Sequence, residues 1–335
     1  MTKLPVTDIA TARRRMNDWG RGGIPFLFIV DFEMRQPLVL PLSEVDPDSI
    51  RYDLRGVANI YKGEKSLQEP IFECYPMDFT EYRLAFDKVQ YHLHAGDTYL
   101  LNLTFPTPIV TNVATHVLFD AANTPYRLWV KDRFVVFSPE CFVRIENGVI
   151  ASFPMKGTIS ALLPGAESQL LNDPKEKAEH ATIVDLIRND LSMVSSEVRV
   201  NRFRFVDTIQ THNGPLLQTS SHISGILPSS YAAGIGDLLL QLLPAGSISG
   251  APKQKTVEVI RAAEQQDRGY YTGVFGIFDG INLDSAVMIR FIEETPARLQ
   301  FRSGGGITAY SRADAEYQEL IQKVYLPIYS NCFAV

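Results

Sequence analysis

The sequence predicts an α+β fold with large, mostly antiparallel β-sheets. Strand-like runs dominate the chain and follow one another across short turns, whereas a doubly wound fold would alternate strands and helices regularly. The clearest strand-like runs cover residues 26–30, 98–103, 127–130, 134–137, 274–278 and 286–291. Helical periodicity is confined to residues 82–95, 174–193, 232–243, 252–265 and 313–328.

Chain length and composition bound the domain organisation. A chain of 335 residues corresponds to one large domain or two closely fused ones, and its 45% hydrophobic and 21% charged content is ordinary for a globular protein. Residues 40–68 are rich in Pro, Asp, Gly and charge, which predicts an irregular connection. We therefore expect residues 1–75 to form an N-terminal part of the sheet structure that is not independent, and residues 76–330 to form the main domain.

Net charge and cysteine usage indicate the compartment and the classes of partner. A net charge of -6 disfavours a broad surface for nucleic acid or acidic membrane. Cys74, Cys141 and Cys332 have neither a zinc-ligand spacing nor a disulfide framework, which fits a reducing cytosol. The N-terminus lacks the apolar run of a signal peptide, and the densest apolar stretch, residues 238–243, is too short to span a bilayer. A cytoplasmic protein without a nucleic-acid or membrane partner is expected.

Lys156 lies in the segment Pro154-Met155-Lys156-Gly157-Thr158, directly after a strand-like run at residues 149–153. Proline and glycine at this spacing are typical of a tight turn. The local sequence leaves two interpretations. One is a solvated lysine at a hairpin tip. The other is an amine that a rigid turn presents to a reacting ligand, and such an amine needs a lowered pKa to act as a nucleophile.

Two predicted helices each carry a pair of glutamates three residues apart, which places both carboxylates of a pair on one helix face. The first pair is Glu176 and Glu179, and the second is Glu316 and Glu319. Each pair is either a solvated acidic face or a set of ligands. If the two helices face one another across a cleft, the four carboxylates suit Mg²⁺, which prefers oxygen ligands and keeps positions for water and an anionic substrate.

Three further segments are candidates for anion binding. The glycine-rich stretch with Gly246 and Ser247 leads into a helix whose N–H groups attract anions, although an ordinary capped helix explains it too. Arg290 is expected on an apolar strand face, where its guanidinium needs a carboxylate from the protein or from a ligand. Gly305 and Gly306 either let a ligand approach the backbone or form a loose turn. Together these segments suit a small ligand with more than one carboxylate, beside a metal.

These segments, in this order between Tyr82 and Ile328, resemble the chorismate-utilising enzymes, which include anthranilate synthase component I, aminodeoxychorismate synthase component I, and the isochorismate and salicylate synthases. The resemblance is carried by residues 96–103, 138–140, 154–158, 178–180, 184–190, 250–253, 289–290 and 304–319. Each motif alone is weak, but their number and order cover most of the chain. The resemblance implies two large sheets packed together with helices outside, as in anthranilate and aminodeoxychorismate synthase component I, and a site between the sheets.

The resemblance also implies a ligand set. Glu179 and Glu319 would hold Mg²⁺, with Glu176 and Glu316 beside them and partly bound through water, and the metal would bind the ring carboxylate of chorismate. The positions implied to hold the rest of the substrate are Gly246, Ser247, Tyr270, Arg290, Gly305, Gly306 and Lys323. The metal would neutralise one carboxylate of the chorismate dianion, and the substrate-binding positions would neutralise the other.

The residue at the position of Lys156 distinguishes two branches of this family. Related anthranilate synthases usually carry alanine there, in a Pro-Ile-Ala-Gly-Thr pattern, whereas lysine resembles aminodeoxychorismate synthase. In that branch the lysine amine adds to ring C2 as the C4 hydroxyl leaves, and ammonia then attacks C4 and expels the lysine. Glu140 matches an acidic residue implicated in proton transfer around these steps. Nearby cations would help to keep Lys156 neutral.

The chain departs from the family pattern in two respects. Gln218 stands where many relatives place a histidine, which puts a histidine-assisted loss of the hydroxyl in doubt. The chain is also shorter than relatives that carry an N-terminal tryptophan site, so we expect no tryptophan feedback. A separate glutamine amidotransferase subunit, or ammonia from solution, is expected to supply the nitrogen.

The expected function is therefore that of aminodeoxychorismate synthase component I, an amino-transfer enzyme that feeds 4-aminobenzoate and folate synthesis. Anthranilate synthase component I is the alternative enzyme. A chorismate-binding subunit that has lost catalysis is a remote alternative, favoured by Gln218 but opposed by Lys156 and the glutamate pairs.

Overall fold

The computed structural model describes residues 5–60, 70–211 and 214–326, so Cys332 and the predicted end of the last helix at residue 328 lie outside the described residues. The strands are β1 Phe26–Val30, β2 Leu38–Pro41, β3 Ile50–Leu54, β4 Val57–Ala58, β5 Phe72–Cys74, β6 Leu100–Thr111, β7 Tyr126–Val130, β8 Phe134–Ser138, β9 Cys141–Glu146, β10 Val149–Ser152, β11 Met155–Ser160, β12 Ser196–Thr211, β13 Gly214–Ile226, β14 Gly250–Ala251, β15 Val274–Phe278, β16 Leu283–Val287, β17 Phe291–Glu294 and β18 Leu299–Ile307. The helices are α1 Ile9–Arg21, α2 Phe79–His94, α3 Thr115–Ala121, α4 Ala166–Asn172, α5 Pro174–Ser192, α6 Ile235–Leu242, α7 Gly246–Ser249, α8 Lys253–Glu264 and α9 Ala313–Gln322.

The described strands form two nine-stranded sheets. The first has the order β11-β13-β10-β9-β16-β15-β1-β2 with β12 paired to β13, and the second has the order β14-β6-β18-β17-β8-β7-β3-β4 with β5 paired to β6. The named strands pair in antiparallel fashion within each sheet, as in β1 with β15 and β6 with β18. The predicted α+β class and the two large antiparallel sheets are confirmed.

Apolar side chains of the two sheets pack against each other. Leu27 and Phe275 of the first sheet share a buried cluster with Leu128 and Phe134 of the second. Other clusters lie under the helices, with α2, α5, α6 and α8 contributing to the largest and α3 to another. The helices therefore cover the outer faces of a two-sheet sandwich, because each sheet buries one face on its partner and the other on helices.

Two parts of the sequence form more regular structure than expected. Residues 40–68, predicted to be irregular, include β3 and β4, which are short strands of the second sheet. The helix α1 was missed because arginines crowd its exposed face and obscure the buried residues Ala12 and Met16. The first 75 residues supply strands to both sheets, since β1 and β2 join the first and β3, β4 and β5 join the second.

The turn expected at Lys156 and the strand expected at residues 286–291 are both wrong in detail. Lys156 lies within β11, which pairs with β13 and carries a bulge between Lys156 and Thr158. The second run is interrupted between Val287 and Phe291, where the chain passes from the first sheet to the second. Arg290, at this crossing, has a left-handed backbone with φ of 54°. Periodicity missed both features because a bulge and a crossing each depend on tertiary pairing.

Among the described residues, one segment, Tyr231–Ser249, is long and apolar enough to cross a membrane by length and composition, with a mean hydropathy of 1.2. The structure divides it into a short 3-10 turn, α6 and α7. Ile235, Leu239 and Leu242 of this segment are buried in the largest core cluster. This packing is that of a core helix of a globular protein.

Candidate active site

A cavity of about 800 Å³ lies where the edges of the two sheets meet α5 and α9. Strands β11 and β13 of the first sheet and β6 and β18 of the second contribute to its wall. The predicted site residues that line it are Glu140, Lys156, Glu176, Glu179, Ser247, Arg290, Gly306, Glu316, Glu319 and Lys323. The structure therefore brings together residues that are up to 183 positions apart, as the span from Glu140 to Lys323 shows.

Lys156 projects into this cavity from the bulge in β11. Gly157, which follows it, has φ of 72°, and this left-handed conformation forms the bulge at little cost because glycine lacks a Cβ. The Thr219 hydroxyl on β13 donates to the Lys156 carbonyl and fixes the backbone. A Cβ added at Gly306 would lie 3.4 Å from Lys156 Nζ, so the amine lies directly against the bare backbone of β18.

The two glutamate pairs reach the cavity from different helices. On α5, Glu179 Oε2 lies 3.1 Å from Lys156 Nζ, and Glu176 Oε2 lies 3.0 Å from the position of a Cβ at Gly157. On α9, Glu316 and Glu319 lie 3.3 and 3.4 Å from the position of a Cβ at Gly305. Both pairs line the same cavity, where Glu316 is buried and the Glu319 side chain is 48% exposed.

The helix α5 is anchored beside its glutamates. Asp173 caps its first turn by accepting from the Glu176 N–H. His180, next to Glu179, is fully buried, and its Nε2 lies 2.6 Å from Ser221 Oγ on β13. These contacts fix the position of the carboxylates relative to the edge of the first sheet.

The carboxylates control the charge of the lysine. Burial acts to lower the pKa of Lys156, but Glu179, Glu319 and Glu176 outweigh burial, so the pKa lies above its ordinary value. The lowered pKa expected of a nucleophilic amine is therefore absent in the protein alone. A cation that neutralised the glutamates would remove the interactions that keep Lys156 protonated.

The donor set suits a hard divalent cation bound partly through water. Within the described part of the chain, no three His, Cys, Asp or Glu side chains converge closely enough to form a ready-made metal centre. Mg²⁺ commonly binds one or two carboxylates together with water and substrate oxygens. Glu179 and Glu319 can supply the carboxylates, and Glu176 and Glu316 lie nearby. The missing side chain at Gly305 lets the α9 carboxylates approach the backbone of β18 closely.

Cationic groups lie at the α9 end of the cavity. Lys323 Nζ lies 2.6 Å from Glu319 Oε1 and donates to the Gly304 carbonyl at 2.8 Å, while burial lowers its pKa. Arg290 Nε donates to the Tyr325 hydroxyl at 3.1 Å, and its guanidinium stacks on the Tyr325 ring. Arg290 and Lys323 both line the cavity and can bind an anion there.

Glu140 lies between β8 and β9 and lines the same cavity. Burial raises the pKa of its carboxyl, although a hydrogen bond from Ser247 and the charges of Lys156, Arg290 and Lys323 act in the opposite direction. A raised pKa favours the protonated form of this carboxyl. Glu140 therefore has the properties of a general acid and base next to the lysine.

Comparison with known proteins identifies the family. A family model described as chorismate binding enzyme matches residues 44–328. The chain belongs to this family. A Haemophilus influenzae protein named as an uncharacterized PabA-like protein is 52% identical over 313 residues, which cover 93% of this chain and 95% of that protein.

Two further proteins are similar to the chain. Aminodeoxychorismate synthase component 1 of Salmonella typhimurium is 34% identical over 259 residues, which cover 73% of this chain and 56% of that enzyme. The solved structure of the menaquinone-specific isochorismate synthase of Escherichia coli superimposes with a TM-score of 0.73, over 96% of this chain and 82% of that one. Its 15% sequence identity shows that the fold is shared.

Tyr270, Gly246 and Gly305, assigned to substrate binding from the resemblance, do not line the cavity of this chorismate binding enzyme. The Tyr270 hydroxyl donates to the Gln36 carbonyl at 2.7 Å, and the neighbouring Tyr271 lines the cavity instead. Gly246 faces Asp190, whose Oδ2 lies 2.7 Å from the position of a Cβ at that glycine. Tyr270 and Tyr271 are neighbours in the turn that precedes β15, and the sequence alone did not show which ring faces the cavity.

Asn102 lines the cavity but was not singled out from the sequence. It pairs with Gly306 across β6 and β18, and its Nδ2 donates to the Ser247 carbonyl at 3.0 Å. Its place in the strand-like run at residues 98–103 offered no signal, because a polar residue in an alternating strand is usually solvent-facing. Gln218 on β13 also lines the cavity, and none of the described lining residues is a histidine.

Proposed function

We propose that the protein is component I of an aminodeoxychorismate synthase, a cytoplasmic enzyme that converts chorismate and ammonia to 4-amino-4-deoxychorismate and water for 4-aminobenzoate and folate synthesis. The observation that carries this proposal is the amine of Lys156, which lies in the cavity against Gly306 and next to Glu179. The 34% identity to an aminodeoxychorismate synthase component 1 supports it.

In this proposal the substrate spans the two charged ends of the cavity. Glu179 and Glu319 would hold Mg²⁺ with help from Glu176 and Glu316. The bound ion would supply positive charge that offsets these carboxylates and attracts the ring carboxylate of chorismate. The second substrate carboxylate would meet the cationic end, formed by Arg290, Lys323, the backbone at Gly306 and Tyr271, which replaces Tyr270 in this role.

Lys156 and Glu140 would carry the two chemical steps. The neutral Lys156 amine forms a bond to ring C2, the ring double bond shifts, and the C4 hydroxyl leaves as water with the proton of Glu140. Ammonia then forms a bond to C4, the bond from C2 to Lys156 breaks, and Lys156 leaves as a neutral amine. The new C4 nitrogen gives one proton to Glu140, so the enzyme returns to its starting state.

A glutamine amidotransferase subunit would supply ammonia in the cell. The Salmonella typhimurium relative is named component 1, which fits an enzyme with a second component. The chemistry assigned to this cavity consumes ammonia and includes no group dedicated to glutamine hydrolysis.

The product identifies the function. Purified protein with chorismate, magnesium chloride and an ammonium salt is expected to form 4-amino-4-deoxychorismate, detected by liquid chromatography with mass spectrometry, and a metal chelator is expected to stop the reaction. Anthranilate with pyruvate would identify an anthranilate synthase, and isochorismate would show that water replaces ammonia. Tight chorismate binding without any product would favour a non-catalytic subunit.

The close approach of Lys156 to Gly306 predicts that a small side chain there is harmful. In the Gly306→Ala variant the new Cβ would lie 3.2 Å from Leu100 Cδ1 and 3.4 Å from Lys156 Nζ, so it would cover the backbone that the proposal assigns to the substrate. We expect kcat/KM for chorismate to fall roughly tenfold to a hundredfold, since small displacements of reacting groups have effects of this size. Gly234→Ala, where nothing lies within 4 Å of the new Cβ, is the control and should retain wild-type kinetics.

A further inference from the structure

A small second cavity lies next to Glu140. Its volume is about 10 Å³, and it shares Glu140, Pro154 and Ser247 with the lining of the large cavity. Asp190 on α5 and Ser152 on β10 also line it, and the rest of its wall is largely apolar. The small cavity therefore places a second carboxyl, Asp190, close to the carboxyl that we assign to proton transfer.

From this arrangement we propose that Asp190 exchanges protons with Glu140 through one buried water molecule in the small cavity. A volume of this size holds about one water, and a buried water needs two to four polar partners. The carboxyls of Glu140 and Asp190 and the hydroxyls of Ser152 and Ser247 provide them. The Ser152 hydroxyl already donates to the Phe142 carbonyl at 3.0 Å, so its oxygen can accept from the water.

The surroundings of Asp190 connect it to solvent. Its Oδ1 lies 2.9 Å from Lys253 Nζ, and the side chains of Asp190 and Lys253 are 11% and 20% exposed. Burial raises the pKa of Asp190, while Lys253 and a hydrogen bond from the Gly246 N–H act to lower it. Asp190 is thus a carboxyl that can exchange a proton with solvent at one side and with the small cavity at the other.

The proton path from Glu140 to Asp190 rests on the proposed function, because the proton balance of that reaction requires a proton to leave the site when the nitrogen enters as NH₄⁺. When ammonia enters as neutral NH₃, Glu140 donates one proton and regains one. When the nitrogen enters as NH₄⁺, Glu140 takes one proton to release NH₃, and the C4 nitrogen later sheds another. One surplus proton must then leave while the bound substrate covers the large cavity. It passes from Glu140 through the water to Asp190 and on to solvent, so Asp190 acts through Glu140 and does not touch the substrate.

The test compares Asp190→Asn with Lys253→Gln under saturating ammonium. Both substitutions break the same ion pair, but Lys253→Gln keeps the carboxyl. We expect Asp190→Asn to lower kcat on the order of tenfold, with little change in KM for chorismate. The acidic limb of its kcat profile should move to higher pH, because surplus protons leave more slowly. Lys253→Gln should stay within about threefold of wild type, because it retains the carboxyl that accepts the proton from the water.

Other charged groups face the carboxyls of Glu140 and Asp190 and also affect the pH dependence of kcat. Lys156, Arg290 and Lys323 face Glu140, and Lys253 faces Asp190. All except Lys253 are unchanged in both variants, so a shift confined to Asp190→Asn reports the carboxyl itself. Equal losses in the two variants, or wild-type kcat in Asp190→Asn, would overturn the proposal.

A third variant tests the role of the buried water without altering any charge. Ser152→Thr keeps the hydroxyl and suits a strand, but its added methyl fills the small cavity. It should reproduce the loss of kcat and the shift of the acidic limb, and unchanged kinetics would contradict a water-mediated path. The wild-type product in the same assay reports separately on the proposed function, because a product other than 4-amino-4-deoxychorismate would refute that function whatever the variants do.

Discussion

Replacing Lys156 with alanine is expected to lower kcat for 4-amino-4-deoxychorismate formation on the order of 10³-fold or more, since the variant lacks the atom that bonds to the substrate. The substitution leaves the bulge intact, because Gly157 and the hydrogen bond from Thr219 to the backbone carbonyl are retained. Chorismate should still bind, because Arg290, Lys323 and the glutamates are unchanged. Stopped assays with product quantified by mass spectrometry measure the rate, and calorimetry measures binding.

A second lysine provides the control for this prediction. Lys255 is exposed and pairs with Glu258 at 3.2 Å on the surface of α8. Lys255→Ala should retain wild-type kcat, because the exposed pair takes no part in the proposed reaction and contributes little to stability. Wild-type activity in Lys156→Ala would show that the amine forms no essential bond.

Breaking the buried ion pair between Glu264 and Arg268 is expected to destabilise the fold by about 3–5 kcal/mol, because it leaves an uncompensated buried charge. Both side chains are 1% exposed. Glu264 accepts from Arg268 Nη2 at 2.6 Å and from the Thr104 N–H at 2.9 Å. Arg268 also donates to the carbonyls of Asn102 and Ile248, two residues of the cavity wall.

The measurement is the free energy of unfolding of Glu264→Ala in urea, followed by tryptophan fluorescence. Glu258→Ala is the matched control, because Glu258 lies on the same helix in an exposed pair and should change the free energy by less than about 0.5 kcal/mol. Equal effects in the two variants would show that the buried pair does not hold α8 to the wall of the cavity.

Much of the candidate site was accessible from the sequence because its elements are local. Each glutamate pair follows from a three-residue spacing on one helix, and Glu140 and Lys156 lie in short motifs. That α5 and α9 meet at one cavity is a tertiary fact, and helical spacing carries no information about it. The resemblance to the family supplied that step, and in the structure all four carboxylates line the cavity.

The remaining features depend on how strands pair. The bulge that directs Lys156 inward lies where the pairing of β11 with β13 shifts register between Lys156 and Thr158, and the left-handed backbone of Arg290 marks the crossing between sheets. The choice between Tyr270 and Tyr271 is a matter of one residue in a loop. Each of these depends on partners distant in sequence, which local propensity does not encode.

The most direct test of the central claim is to look for the bond between Lys156 and the substrate. Protein mixed with chorismate and magnesium, without ammonium, is quenched in acid at a series of times and mapped by peptide mass spectrometry. The mechanism predicts that the peptide with Lys156 gains the mass of chorismate minus water, and that added ammonium removes this adduct as product forms. The covalent mechanism would be contradicted if the same sample formed product with ammonium, yet Lys156 stayed unmodified at every time and Lys156→Ala kept its activity.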